Sequence, residues 1–292
     1  MNTILWKPTL AATLPPDADL DALPYPLYAS PKIDGVRAMV QRGRVVSRNG
    51  REIPQPKVQR LFGKADYEGL DGELTLGPPH AADVFTRTSG YCMRHSTVST
   101  VDKLHFNVFD WRIPAGWPVR LEYLTAFDGG RAVVMVKQTR VIDAARLLAF
   151  EARCLKQGYE GVMLRRADAG PYLEKRSTLR EFYLVKLKRF DHGFGEIVAV
   201  HPLRHNLNTA KTAAGRRSTV KTGISIDHDS VGSVTLRDGA HEFSVNVQTD
   251  ALRAKGPTWW ARQVGKRVRY THQSVGRKDA PRFPQCKFEE LL

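Results

Sequence analysis

The chain has 292 residues, with 45 Lys and Arg against 30 Asp and Glu, a formal charge of +15, and 42% hydrophobic residues. That apolar content can bury the cores of two domains, which excludes an intrinsically disordered chain and a disulfide-stapled mini-protein. No stretch approaches the roughly 18 consecutive apolar residues of a membrane span, and the opening MNTILWKPTLAATLPPD has no basic segment leading into a long apolar core. Neither a span nor a secretory signal is expected.

In chain order, residues 36–40 and 44–47 are short β-branched or apolar stretches punctuated by Asp34-Gly35 and Asn49-Gly50, which favour tight turns. They read as antiparallel strands. Val141, Ala144, Ala145, Leu148, Ala152 and Leu155 recur at helical spacing, with Gly158 as a stop, so a helix is expected over 141–155. The texture changes at Asp191-His192-Gly193-Phe194-Gly195, which places a domain boundary between 1–190 and 191–292. Beyond it the pattern is almost entirely strand, over 196–200, 233–236, 242–247 and 267–270, with Asp238-Gly239 as a hairpin turn. A small β-barrel follows from that pattern. Residues 204–222 hold five Lys or Arg and no acidic residue among Ser, Thr, Asn, Ala and Gly, the composition of a mobile basic loop. Cys92, Cys154 and Cys286 are far apart and show no C-x-x-C spacing. That argues against a zinc site and fits a reducing cytoplasm. The positive excess points toward a polyanionic partner.

The chemistry is concentrated in Lys32-Ile33-Asp34-Gly35-Val36-Arg37, a lysine entering a tight turn with an arginine five positions later. A lysine amine becomes a nucleophile near neutral pH only where cations or desolvation depress its pKa. Lys186, Lys188, Arg37 and Arg48 are placed to supply that positive field, and Lys32 is the candidate nucleophile. Lys186 and Lys188, two apart on a strand, are expected to point the same way and to suit one phosphate. Asp34 is read as shaping the turn.

Lys32 is followed by Ser47-Arg48-Asn49-Gly50, Asp71-Gly72-Glu73-Leu74, Phe106-Asn107-Val108-Phe109-Asp110, Glu160-Gly161-Val162-Met163-Leu164 and Leu184-Val185-Lys186-Leu187-Lys188. In this order and spacing the set resembles the covalent nucleotidyltransferases, and within them the small, phage- or virus-type ATP-dependent DNA ligases. The resemblance covers nearly the whole chain. It implies an α+β adenylation domain (nucleotidyltransferase, ATP-grasp-like) followed by an all-β OB-fold barrel. It also implies a three-step reaction. ATP adenylylates Lys32, AMP passes to the 5′-phosphate of a nick in duplex DNA, and the 3′-hydroxyl displaces AMP, with Mg²⁺ or Mn²⁺ assisting. Such an enzyme acts in the cytoplasm of a bacterium or a phage-infected host, in DNA replication, repair or recombination, and a monomer suffices.

By the same resemblance Glu73 contacts the adenosine ribose, Phe109 stacks on adenine and Glu160 holds the metal. Arg37 and Arg48 meet the adenylate or the nick phosphate. Many ligases carry Glu or Gln two positions before the nucleophile, able to read the adenine amino group, whereas Ser30 stands there here. Ser30 and the backbone around Pro31 and Lys32 are then the candidates for reading the base. Gly265-Lys266-Arg267-Val268-Arg269-Tyr270 and Ala280-Pro281-Arg282-Phe283-Pro284 resemble the end of the ligase barrel. Lys278 and Arg282 there are candidates for the pyrophosphate or phosphate backbone. The basic loop occupies the place of a DNA-encircling latch, giving Arg204, Lys211, Arg216, Arg217 and Lys221 as phosphate contacts that read no bases. The alternatives are an RNA ligase with the same lysine chemistry, a capping guanylyltransferase and a catalytically inactive nucleic-acid-binding relative. The lack of a four-cysteine site argues against an NAD-dependent ligase.

Overall fold

The computed structural model describes residues 5–96, 103–210, 218–273, 281–286 and 288–291. The chain divides into two compact units, Met1–Arg189 and Phe190–Leu292.

In the first unit the elements run β1 (Ala12–Thr13), β2 (Leu27–Pro31), β3 (Val36–Gln41), β4 (Arg44–Ser47), α1 (Pro56–Phe62), β5 (Leu70–Leu76), α2 (Val84–Cys92), β6 (Leu104–Trp111), α3 (Trp117–Ala126), β7 (Val133–Met135), β8 (Thr139–Val141), α4 (Ala144–Lys156), β9 (Gly161–Arg166) and β10 (Val185–Lys188). They form two five-stranded sheets, ordered β1-β10-β9-β2-β8 and β4-β3-β5-β6-β7. Each sheet buries one face in its own core. Leu27, Val162, Leu164, Val185 and Leu187 of the first pack with Leu147, Phe150 and Cys154 of α4. Ala38, Val40, Leu70, Leu74, Phe106 and Val108 of the second pack with Val58 and Phe62 of α1 and Tyr91 and Cys92 of α2. Strand alternation therefore turns the opposite residues of β2, β9 and β10 to the other face of their sheet.

The helix expected from residue 141 begins three residues later. Val141 lies in β8, opposite Leu27, and Asp143 starts the helix by accepting a hydrogen bond from Arg146 N at 2.7 Å. The buried face is also displaced: Ala144, Leu147, Phe150, Glu151 and Cys154 face the core, while Leu148 and Leu155 are exposed. Because a side chain leans toward the N-terminus, counting apolar residues mis-sets the stripe when leucines stand on both sides of it. Each fully buried Leu or Phe on this face contributes about 1.5–3 kcal/mol.

The second unit contains β11 (Asp191–Asn206), β12 (Ile224–Asp238), β13 (His241–Asn246), α5 (Asp250–Arg253), α6 (Gly256–Ala261), β14 (Arg267–Gln273) and β15 (Arg282–Cys286). Its sheet is ordered β13-β12-β11-β14-β15, all antiparallel, around a core holding Ile197, Val234, Leu236, Phe243, Val245, Trp260 and Tyr270. Among the described residues its edges do not pair, so the expected barrel is an open one, within the range of partly open five-stranded barrels. The short helices interrupt a stretch whose pattern is almost entirely strand. Thr249 caps the first, and Trp260 of the second is fully buried, donating from Nε1 to Leu252 O at 2.8 Å.

The basic loop is shorter than its composition suggests. β11 continues to Asn206 and β12 begins at Ile224, so Arg204, assigned to the loop, lies in a strand opposite Ile226. The outer part of this two-strand ribbon, with His201, Arg204, His205, Ser225 and Ile226 exposed, has little apolar alternation to betray it. No helix among the described residues is long and apolar enough to cross a membrane, and Cys92, Cys154 and Cys286 are buried.

Candidate active site

The site is laid out by strand register on the first unit's sheet. Lys186 stands opposite Met163, and Met163 opposite Ser30; one row along, Lys188 stands opposite Gly161, whose carbonyl accepts from Lys32 N at 2.9 Å. Val185 and Leu187, which alternate with the lysines, point into the core, so Lys186 and Lys188 share the cavity face with Met163 and Ser30. The second sheet contributes Arg37 and Glu73, directly opposite one another on β3 and β5, and Phe109 on β6. Phe109 falls at a bulge, where Asp71 faces Asp110 but Gly72 faces Val108. A bulge bends its strand and re-aims a side chain.

These residues line one cavity of about 330 Å³, together with Pro31, Asp34 and Arg48. It falls in the size range of small-molecule sites. Its walls differ in character. At one end stand Lys32, Lys186, Lys188 and Arg48; elsewhere Tyr28, Met163, Leu164, Leu184 and Phe109 supply apolar surface, with Ser30 and Gln138 among them.

Glu160 organises the cationic end. Its Oε2 accepts from Lys32 Nζ at 2.6 Å and lies 2.9 Å from Lys188 Nζ. Burial would raise its carboxyl pKa, but the two ammonium groups overcome that and hold it at about 2. Burial lowers Lys186 and Lys188, and Lys32 lowers them further as a neighbouring like charge. Glu73 behaves oppositely. Burial pushes it up to about 7 against the pull of Arg37 and Lys32, so near neutral pH it is poised between donor and acceptor.

Arg37 has a buried partner as well as a place in the cavity lining. Nε and Nη2 donate to the two carboxylate oxygens of Asp71, each at 2.6 Å, and the Tyr172 hydroxyl donates to the same carboxylate. With its charge matched by this buried, two-point pair, Arg37 presents a flat guanidinium 4.6 Å from the Phe109 ring centroid. Behind it Asp110 pairs with Arg120 at 2.8 Å and Arg165 at 2.7 Å, all three side chains nearly inaccessible. The Arg165 guanidinium also lies 4.1 Å from the Trp117 ring centroid.

Of the residues expected at the site, Ser30, Pro31, Lys32, Arg37, Arg48, Glu73, Phe109, Lys186 and Lys188 line this cavity, and Glu160 is tied to it through the two lysines. Gln138, Met163, Arg165 and Arg176 also line it and were not singled out. Met163 lies within the motif that begins at Glu160, and Arg165 follows it by strand alternation one residue past the motif's end; Gln138 and Arg176 lie outside every motif. In the second unit Arg204 and Lys221 are exposed on and beside the ribbon. Arg282 opens β15. Lys211, Arg216, Arg217 and Lys278 lie outside the described residues. Among the described residues no three His, Cys, Asp or Glu side chains cluster as a metal cage.

No protein-family model and no curated protein sequence matches the chain. Solved structures do. A Lig E DNA ligase superposes with a TM-score of 0.70 at 21% identity, over 97% of this chain and 99% of that one. A Chlorella virus DNA ligase-adenylate superposes with a TM-score of 0.55 at 26% identity, over 97% of each chain. A second structure of the Chlorella virus ligase-adenylate gives 0.53 at 25% identity, over 96% of this chain and 97% of that one. The two units together carry the fold of these ligases. With its ordered motifs converging on one cavity, the chain has the fold and motif set of a small, viral-type ATP-dependent DNA ligase.

Proposed function

We propose that the protein seals nicks in duplex DNA at the expense of ATP, through an AMP-lysine on Lys32. The observation that carries this reading is the convergence of Lys32, Lys186, Lys188 and Glu160 at one end of a cavity whose remaining wall offers the Phe109 ring. The Lys32 nitrogen attacks the α-phosphorus of ATP, the phosphorus–nitrogen bond forms, and the bond to pyrophosphate breaks. Lys186 and Lys188 face the charge that develops on the phosphate oxygens. Before the attack Glu160 holds Lys32 Nζ in place while the ammonium gives its proton to solvent, which frees the lone pair for the phosphorus. Glu73 takes the ribose hydroxyls and Phe109 stacks on the base. The AMP then passes to the nick 5′-phosphate, and the 3′-hydroxyl displaces it.

A single carboxylate combined with substrate phosphates is a usual Mg²⁺ set, and Glu160, held beside the cavity by Lys32 and Lys188, fits that part. Mg²⁺ or Mn²⁺ bound there would neutralise charge on the phosphates. Arg204, Lys221 and the neighbouring Lys211, Arg216 and Arg217 would contact the DNA backbone. Lys278 and Arg282 would meet the pyrophosphate or the DNA phosphates. A monomer acting in the cytoplasm is consistent with this scheme.

Intact-mass measurement after stripping with pyrophosphate and incubation with ATP and Mg²⁺, followed by peptide mapping, tests the first step. An AMP adduct on Lys32 is expected, and sealing of nicked DNA in preference to nicked RNA. An adduct from GTP alone would replace this reading with capping chemistry.

A further inference from the structure

We infer that Gln138 reads the adenine base, an assignment that rests on the ATP-dependent reading of the cavity. β2 and β8 pair Leu27 with Val141, Tyr28 with Arg140 and Ala29 with Thr139. One further step in that register sets Gln138 beside Ser30. On its other side Ser30 faces Met163, which faces Lys186, so Lys186, Met163 and Ser30 form one row, and Gln138, just before β8, lines the same cavity. The cavity lining thus includes both a phosphate-facing lysine and a neutral amide.

The chain on the N-terminal side of Gln138 belongs to the second sheet. Met135 pairs with Val108, and Val136 N donates to Val108 O at 2.8 Å, beside the bulge that aims Phe109. Gln138 therefore bridges the strand bearing Ser30 and the strand bearing Phe109. A ring stacked on Phe109 would share the cavity with Ser30 and Gln138. Gln138 Nε2 already donates to Val136 O at 3.2 Å, which leaves Oε1 as the amide's acceptor for a ligand in the cavity it lines. An amide oxygen suits the amino group of adenine and opposes the O6 lone pairs of guanine. Ser30 alone, with a short hydroxyl that both donates and accepts, does not distinguish the two bases.

The test measures kcat/KM for adduct formation on Lys32 with ATP and with purine riboside triphosphate, which lacks the amino group. The unaltered protein, Gln138→Ala and Gln138→Glu are compared. The unaltered protein is expected to favour ATP about tenfold, the scale of one hydrogen bond. Gln138→Ala should bring the ratio near one, and Gln138→Glu, which keeps an acceptor, should retain it. Equal ratios in the unaltered protein and Gln138→Ala, with adducts formed in both, would overturn the role of Gln138 and leave the ligase reading standing. Absence of any adduct from the unaltered protein would overturn both.

Discussion

Lys32 and Glu160, 128 residues apart in sequence, meet at 2.6 Å, and the same Glu160 oxygen lies 2.9 Å from Lys188. One carboxylate thus gathers two ammonium groups that would otherwise repel each other across the cavity. The arrangement explains why three lysines tolerate one partly buried site, and it gives Glu160 a part in the free protein in addition to any role with a metal.

Replacing Glu160 by Gln is therefore expected to destabilise the metal-free protein in a pH-dependent way. Its carboxyl is held at about 2 in the fold against an ordinary 4.5. The stabilisation is fully present above the unfolded value and disappears as pH falls through the folded one. Urea unfolding in EDTA should show a deficit of roughly 2 kcal/mol at pH 7. The deficit should shrink progressively below pH ~4.5. A deficit of the same size at pH 3 and pH 7 would mean that the ion pairs are not its source.

Glu73 carries the opposite sign. Its folded value of about 7 lies above the ordinary 4.5, so the fold binds its proton more tightly and stability falls as pH rises through that interval. Glu73→Gln should unfold at nearly the same temperature as the unaltered protein at pH 4.5 and several degrees higher at pH 8. Because Gln cannot reproduce a carboxylate on ribose hydroxyls, the same variant is expected to form the Lys32 adduct at least tenfold more slowly. Thermal scans across this range, paired with adenylylation rates, check both effects.

Asp71 and Arg37 form a pair whose carboxylate is only 1% exposed. Asp71→Asn strands a guanidinium and should cost about 3–5 kcal/mol, whereas changing both partners to neutral residues should recover much of that loss. A double-mutant cycle by chemical unfolding measures the coupling. If Arg37→Gln in the Asp71→Asn background recovers stability without recovering adduct formation, the guanidinium over Phe109 serves nucleotide binding.

Gly161 holds φ at +148°, and a Cβ there would stand 2.3 Å from Leu187 O on the adjacent strand. Gly161→Ala must therefore push β9 away from β10, the contact that sets Glu160 against Lys188 and receives the Lys32 backbone N–H. A loss of about 1–3 kcal/mol is expected from the backbone alone. Adduct formation should fall more than tenfold even at temperatures where the fold is intact by circular dichroism. Adenylylation at the unaltered rate would show that this register is not needed.

The residues of the site were legible where chemistry is local. Lys32, Lys186 and Lys188 announce themselves by residue type and two-residue spacing, and the turn around Asn49-Gly50 is written in glycine, whose φ is +73° at Gly50. What the sequence withheld depends on pairing between distant strands. Gln138 acquires meaning only when β8 is set beside β2, and Arg37 gains its buried partner only when β5 brings Asp71 to it. The displaced face of α4 and the polar half of the β11–β12 ribbon were hidden for the complementary reason. Tertiary contact chose among leucines in the one, and backbone pairing proceeded without apolar alternation in the other.

The ribbon offers the remaining prediction. Arg204 is exposed on β11, and Lys221 is exposed just before β12. If they meet DNA phosphates, Arg204→Ala with Lys221→Ala should weaken binding to a nicked duplex alike for every sequence. Each phosphate contact contributes about 0.9 to the slope of log K against log salt, so losing two should flatten that slope by about 1.8. Adduct formation on Lys32, which needs no DNA, should be unchanged. Fluorescence anisotropy over a salt series separates the outcomes. An unchanged slope with unchanged affinity would remove the ribbon from the DNA-binding surface, whereas a change confined to one sequence would mean that these side chains read base edges.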